Sequence, residues 1–197
     1  MQHQETHPWN WFAPENSRTL IVGTFPPTKR NWKYDFFYPN TANLFWRMMA
    51  QIAGTPLKHF SDEEAIIERK EILRTLGVAI TDMGRTIQRS ENSSLDENLA
   101  IVEYMDILTI LDENPDISMM ICTSSSGKVS AKRWLSEYLN TKNITHTFPK
   151  GKKPIRTEIM YNNTIIQIVI AYSPSARASN RISFADLVEM YRSAIVG

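Results

Sequence analysis

The run RTLIVGTFPP at positions 18–27 is apolar and β-branched up to a glycine and then stops at two prolines. Apolar side chains at consecutive positions leave no face for water, so the segment reads as a strand buried on both sides within a parallel sheet. Parallel neighbours need a crossover between them, usually a helix. The following sequence supplies such stretches. TANLFWRMMAQIAG repeats apolar residues four apart at Leu44, Met48 and Ile52, with Asn40 or Thr41 placed to cap a helix and Gly54 to stop it. SDEEAIIERKEILRTLG opens with Ser61 and Glu64 at capping-box spacing and ends on Gly77, leading into a second strand, VAITDM, at 78–83. A helix is expected over 97–113, a strand over 117–122 and a helix over 128–140. Two β-rich runs flank Asn162-Asn163, a hairpin signal, and Ser183 with Asp186 caps a last helix. Strands alternating with helices predict a layered α/β fold with helices on both faces of the sheet, and 197 residues suit one domain spanning 1–197.

In sheets of this kind the functional crevice lies beyond the carboxyl ends of the strands. Three unusual segments fall there: GTFPP with FFYPNTAN after the first strand, TDMGRT after the second, and AYSPSARAS after the last. They are expected to converge. Charge is distributed unevenly along the chain: residues 61–118 hold 14 Asp/Glu against 5 Lys/Arg, whereas residues 128–181 hold 10 Lys/Arg against 2 Asp/Glu. KGKKPIR (150–156) and RASNR (177–181) give the basic part the means to follow phosphates.

Other chemistries find little support. No apolar run approaches the length of a membrane span. The first residues show no basic region ahead of an apolar core, and the lone Cys122 has no internal disulfide partner, which predicts a cytoplasmic protein. Four scattered histidines and one cysteine lack metal-ligand spacing, so no metal and no cofactor are expected.

Taken in order, LIVGTFPP, FFYPNTANLFW, VAITDMGRTIQRSENSSLDENL, ISMMICTSSS and AYSPSARAS resemble the motifs of the uracil-DNA glycosylase superfamily, and most of all those of its hypoxanthine-DNA glycosylase branch. The likeness runs over about residues 18–180. It rests on Gly23-Thr24-Phe25-Pro26, Asn43-Leu44-Phe45-Trp46, Thr81-Asp82 with Ser94-Leu95-Asp96, and Ser173-Pro174. Three departures accompany it. Phe25 stands where many members carry an Asp or Asn that handles water, Tyr38-Pro39 comes two residues before the place of a His-Pro pair, and the terminal loop has Tyr172-Ser173 in place of a histidine.

The resemblance implies a three-layer α/β/α sandwich around a central, mostly parallel four-stranded sheet. It also implies a monomeric DNA glycosylase that hydrolyses the N-glycosidic bond of a deaminated base, hypoxanthine or uracil, and a partner DNA containing that base. Asn43 takes the catalytic place in this scheme, holding a water or the departing base; a plain helix cap is the alternative for an Asn at a helix start. A base extruded from the duplex needs a stacking surface, for which Phe36, Phe37 and Tyr38 are candidates. Gly23, Thr24, Phe25 and Pro26 would bring backbone groups to the edge of the base, with Tyr172 and Ser173 opposite. Ser125, Ser126 and the start of a helix near 127 form one candidate phosphate cradle. Pro174, Ser175, Ala176 and Arg177 form another, with Arg177 able to enter the gap left by the extruded nucleotide. Asp35 and Asp82 are the carboxylates near enough to act as a base, and either equally suits a turn or cap. Two further classes remain open: a DNA- or damage-binding protein of the same fold that has lost cleavage, and a small-molecule hydrolase on a similar scaffold.

Overall fold

A computed structural model of the chain describes residues 3–90, 96–176 and 180–197. Two sheets organise it. The larger has five strands: β2 (Thr19–Gly23), β3 (Val78–Asp82), β6 (Met119–Cys122), β7 (Ile155–Tyr161) and β8 (Thr164–Ile170), in the order β3-β2-β6-β8-β7. The first four run parallel, and β7 lies antiparallel to β8. The expected four-stranded sheet is therefore extended by one edge strand, because the Asn162-Asn163 turn folds β7 back on β8. Both asparagines have positive φ, 46° and 60°, as a tight hairpin of matching twist requires.

The smaller sheet joins β1 (His3–Thr6), β4 (Gly84–Arg89) and β5 (Leu99–Tyr104) antiparallel in the order β1-β4-β5. It corrects the expectation of a helix over 97–113. Only α3 (Ile107–Glu113) is α-helical there; Asp96–Asn98 form a single 3-10 turn, and Leu99–Tyr104 pair with β4. TDMGRT is likewise no free loop, since Met83 and Gly84 donate to the carbonyls of Gly23 and Thr24 and the chain goes straight on into β4.

Every residue of β2 and of β3 is buried, and their side chains alternate between two cores. Leu20 and Val22 face one core, with Ile87 and Leu99 of the small sheet, α3 and α4 (Ala131–Thr141). Ile21, Val78 and Ile80 face the other, with α1 (Phe45–Ala53), α2 (Asp62–Leu76) and α5 (Phe184–Ile195). Helices thus cover both faces of the large sheet. The cap of α5 forms as its sequence implies, the Ser183 hydroxyl accepting from the Asp186 N–H at 3.1 Å. That of α2 does not, because the Ser61 hydroxyl donates to its neighbour Asp62. No helix among the described residues is long and apolar enough to cross a membrane.

Candidate active site

The strands β2, β3, β6 and β8 all deliver their carboxyl ends to one hollow of about 650 Å³, within the range of small-molecule sites. Its walls are Thr24–Pro27 after β2, Asp82 at the end of β3, Thr123–Val129 after β6, and Tyr172, Ser173, Ser175 and Ala176 after β8. The loop before α1 closes it with Tyr38–Asn40, Ala42 and Asn43. The three segments singled out in the sequence converge, and the loop after β6 joins them.

Hydrogen bonds between these loops fix their relative positions. The Leu44 N–H donates to the Pro174 carbonyl at 2.8 Å, tying the entry of α1 to the terminal loop. The Tyr38 hydroxyl donates to Thr123 Oγ1 at 3.0 Å, and Thr123 Oγ1 donates to the Val22 carbonyl at 3.2 Å. Thr24 Oγ1 and Ser124 Oγ lie 3.2 Å apart. From outside, the buried Arg89 guanidinium donates to the Pro26 carbonyl at 2.9 Å and pairs with Glu5 at 2.8 Å.

Asn43 is half-buried on the wall. The helix begins at Phe45 rather than at Thr41, and the Phe45 N–H donates to Asn43 Oδ1 at 2.9 Å. Asn43 is thus both a cap and a wall residue. One lone pair of its oxygen is thereby engaged, and its Nδ2 amide can only donate.

Phe36 and Phe37 are displaced from the expected role. They are 5 % and 1 % exposed and belong to the core under α1, Phe36 packing on Phe12 and Trp46 and Phe37 on Trp9 and His7. Neighbouring rings take opposite sides only where the chain is extended. Here it bends, and Tyr38 reaches φ of 50°, so both rings turn inward and the next one reaches the hollow. The Tyr38 ring lies on Phe45 at 3.9 Å and 17°, a floor held rigid from below. Phe25 also lines the hollow, edge-on to His7 at 5.3 Å and with the Arg89 guanidinium 5.7 Å from its centroid.

Ser125 and Ser126 line the hollow, but α4 starts at Ala131 rather than near 127. Its first amides are already engaged: Ala131 N–H donates to Ser124 Oγ and Lys132 N–H to the Ser124 carbonyl. The expected helix-end cradle at Ser125 and Ser126 is therefore closed off. Pro174 is buried and serves through its carbonyl, Ser175 donates its N–H to Ser173 Oγ at 3.2 Å, and Ala176 is exposed. Gly23 lies just behind the wall. Arg177 and the Ser94-Leu95 stretch lie outside the described residues.

Several wall residues were not singled out. Lys153 reaches the hollow with its ammonium 4.7 Å from the centre of the Tyr172 ring, and Arg181 donates to Ser126 Oγ at 3.4 Å. Burial, then the charges of Arg181 and Lys132, hold the Lys153 ammonium below the usual lysine range. Both residues belong to the basic stretches noted in the sequence. Asp82 is the buried carboxylate of the hollow and pairs with His7, whereas Asp35 is exposed and elsewhere. No sequence signal marks His7, whose partner is far along the chain. A separate groove of about 330 Å³ lies over α2 and contains none of the expected residues. No cluster of three metal-ligating side chains occurs among the described residues.

No family model and no curated protein matches the chain. Among solved structures, the solution NMR structure of a candidate uracil DNA glycosylase from Methanosarcina acetivorans is similar to it, with a TM-score of 0.58 and 16% identity over 98% of this chain and 99% of that one. The likeness extends over the whole architecture, and the chain has the fold of that protein.

Proposed function

We infer that this chain is a DNA glycosylase that hydrolyses the N-glycosidic bond of a deaminated base, hypoxanthine or uracil, in DNA. The observation that carries this reading is the pairing, in one hollow, of a supported aromatic floor at Tyr38 with an amide donor at Asn43. A base inside a duplex is screened by stacking and pairing, so it must be extruded into such a hollow. The Tyr38 ring replaces the lost stack, and Phe25 offers a second apolar surface. Base-on-ring contacts of this kind contribute about 1–3 kcal/mol per base.

Breaking the glycosidic bond leaves negative charge on the base. A fixed donor aimed where that charge develops stabilises the transition state more than the ground state. The Asn43 Nδ2 amide takes this role, with its oxygen pinned by Phe45. Lys153 and Arg181, with the exposed Lys128, line the same hollow and suit the phosphates flanking the extruded nucleotide. The fold shared with the Methanosarcina acetivorans protein, the motif order and the basic wall agree with this assignment.

The direct test is excision from labelled duplexes bearing hypoxanthine, uracil, xanthine or thymine. Hypoxanthine or uracil is expected to be released, and Asn43→Ala is expected to lose most of that activity while still binding DNA. A second reading is favoured by Phe25, which fills with a ring the place where the resembled family often carries a water-handling group. On that reading the protein binds damaged DNA without cutting it. Salt-sensitive binding without release of any of these bases would select it.

A further inference from the structure

The Asn43 amide can hold a departing base through its N–H groups, but an amide is too weakly basic to take the proton that water loses on attack. Hydrolysis in this hollow therefore calls for an acceptor elsewhere on the wall. Among the described residues its carboxylates are Glu97, which is exposed, and Asp82, which is 7 % exposed at the end of β3. Asp82 Oδ2 accepts from His7 Nε2 at 3.0 Å. With the carboxylate ionised it can only accept, and Nε2 then carries the shared proton.

The His7 side chain is fully buried, and the Trp9, Phe25 and Phe37 rings surround it at 5.3–5.7 Å. Its Nδ1 lies 2.5 Å from the Trp9 carbonyl oxygen. The His7 N–H donates to the Arg85 carbonyl at 2.8 Å, which holds the segment after β1 against β4. The ring therefore has one orientation, and it fixes one oxygen of Asp82.

The other oxygen lies against Gly23. A Cβ at Gly23 would sit 2.0 Å from Asp82 Oδ1 and 3.1 Å from the Tyr38 hydroxyl. Any other residue there would push the carboxylate away, so glycine at this position makes the seat for Asp82. A buried carboxylate is weak evidence of a purely stabilising role, because its desolvation offsets much of what its partner contributes. A carboxylate seated at the carboxyl end of β3, oriented from behind and lining the hollow, has the arrangement of an oriented general base.

We propose that Asp82, held by the positioning residue His7, takes the proton of the attacking water; the inference rests on the glycosylase reading above. The water oxygen bonds to the anomeric carbon as the bond from that carbon to the base nitrogen breaks, and the electron pair of that bond leaves with the base. The water proton passes to Asp82 Oδ1. The base departs as an anion held by the Asn43 amide and takes a proton from solvent, and Asp82 returns its own proton to solvent.

The test is single-turnover excision of hypoxanthine and uracil from duplexes by the wild type, Asp82→Asn, Asp82→Ala with and without added formate, His7→Gln and His7→Ala, with DNA affinity and thermal melts measured alongside. Asp82→Asn is expected to be about 10²- to 10⁴-fold slower at nearly unchanged affinity, the usual contribution of a general base. Formate should partly restore Asp82→Ala, because it supplies the missing acceptor, and His7→Gln, which keeps a donor, should exceed His7→Ala. If Asp82→Asn excises within about threefold of the wild type, where a lost general base would cost at least about a hundredfold, the assignment of Asp82 fails and the glycosylase reading stands. If the wild type releases neither base, both fail together. Should Asp82→Asn not fold, the two His7 variants decide: equal rates overturn the proposal and a faster His7→Gln upholds it.

Discussion

At the scale of single residues, Asn43 performs two tasks with two ends of one amide, and they can be separated chemically. Its oxygen caps α1 by accepting from Phe45, and its nitrogen is the donor that the proposed reaction uses at the wall of the hollow. Asn43→Ala removes both, so part of its effect is a lost cap of about 1 kcal/mol, or about 2–4 °C in melting temperature for a chain of this length. Asn43→Asp keeps the accepting oxygen at a helix start, where negative charge is favourable, and replaces the donor with an acceptor. This variant is expected to melt at or above the wild-type temperature and to lose excision nearly as fully as Asn43→Ala. Calorimetry and the excision assay, run on the same samples, check the two halves. A variant that keeps both stability and excision would mean that the amide nitrogen has no part in the reaction.

At the scale of elements, the same split between local and remote causes explains which strands and helices could be read in advance. The Asn162-Asn163 turn is legible because both central residues must adopt positive φ and asparagine tolerates it. Asn163→Val is accordingly expected to cost about 1–2 kcal/mol, the penalty of the left-handed region for a branched residue, whereas Asn163→Gly should be neutral or mildly stabilising. Urea titration of the two variants measures this, and equal midpoints would contradict the turn geometry. β2, β3 and α5 were equally visible because burial on both faces and a capping pair are written within a few residues. β5 was not. Leu99–Tyr104 has Val102 exposed and Leu99 buried, and its strand form depends on β4, which pairs with it on one side and with β1 on the other. The site divides in the same way. Asn43, Tyr38 and the Thr24–Pro26 wall follow from local motifs, whereas the inward turn of Phe36 and Phe37 and the pairing of His7 with Asp82 follow from bends and contacts that join distant segments.

At the scale of the whole molecule, the uneven charge noted in the sequence acquires a location. Lys128, Lys153 and Arg181, from the loop after β6, the approach to β7 and the terminal segment, meet on one wall of the hollow. Like charges brought together weaken one another unless an anion lies among them, and the Lys153 ammonium bears the consequence, held down by its own burial and by Arg181 and Lys132. A DNA backbone supplies such an anion and releases its bound counterions in exchange. Each phosphate neutralised adds about one to the slope of log affinity against log salt. Lys153→Ala and Arg181→Ala are therefore each expected to weaken duplex binding about equally with and without a deaminated base, and each to lower the salt slope by about one. Once bound DNA is saturating, single-turnover excision should remain near the wild-type rate in both, which separates phosphate contacts from the chemistry at Asn43. Fluorescence anisotropy across a salt series supplies the slope. An unchanged slope in both variants would remove these cations from the DNA path and would place the phosphates on another face of the molecule.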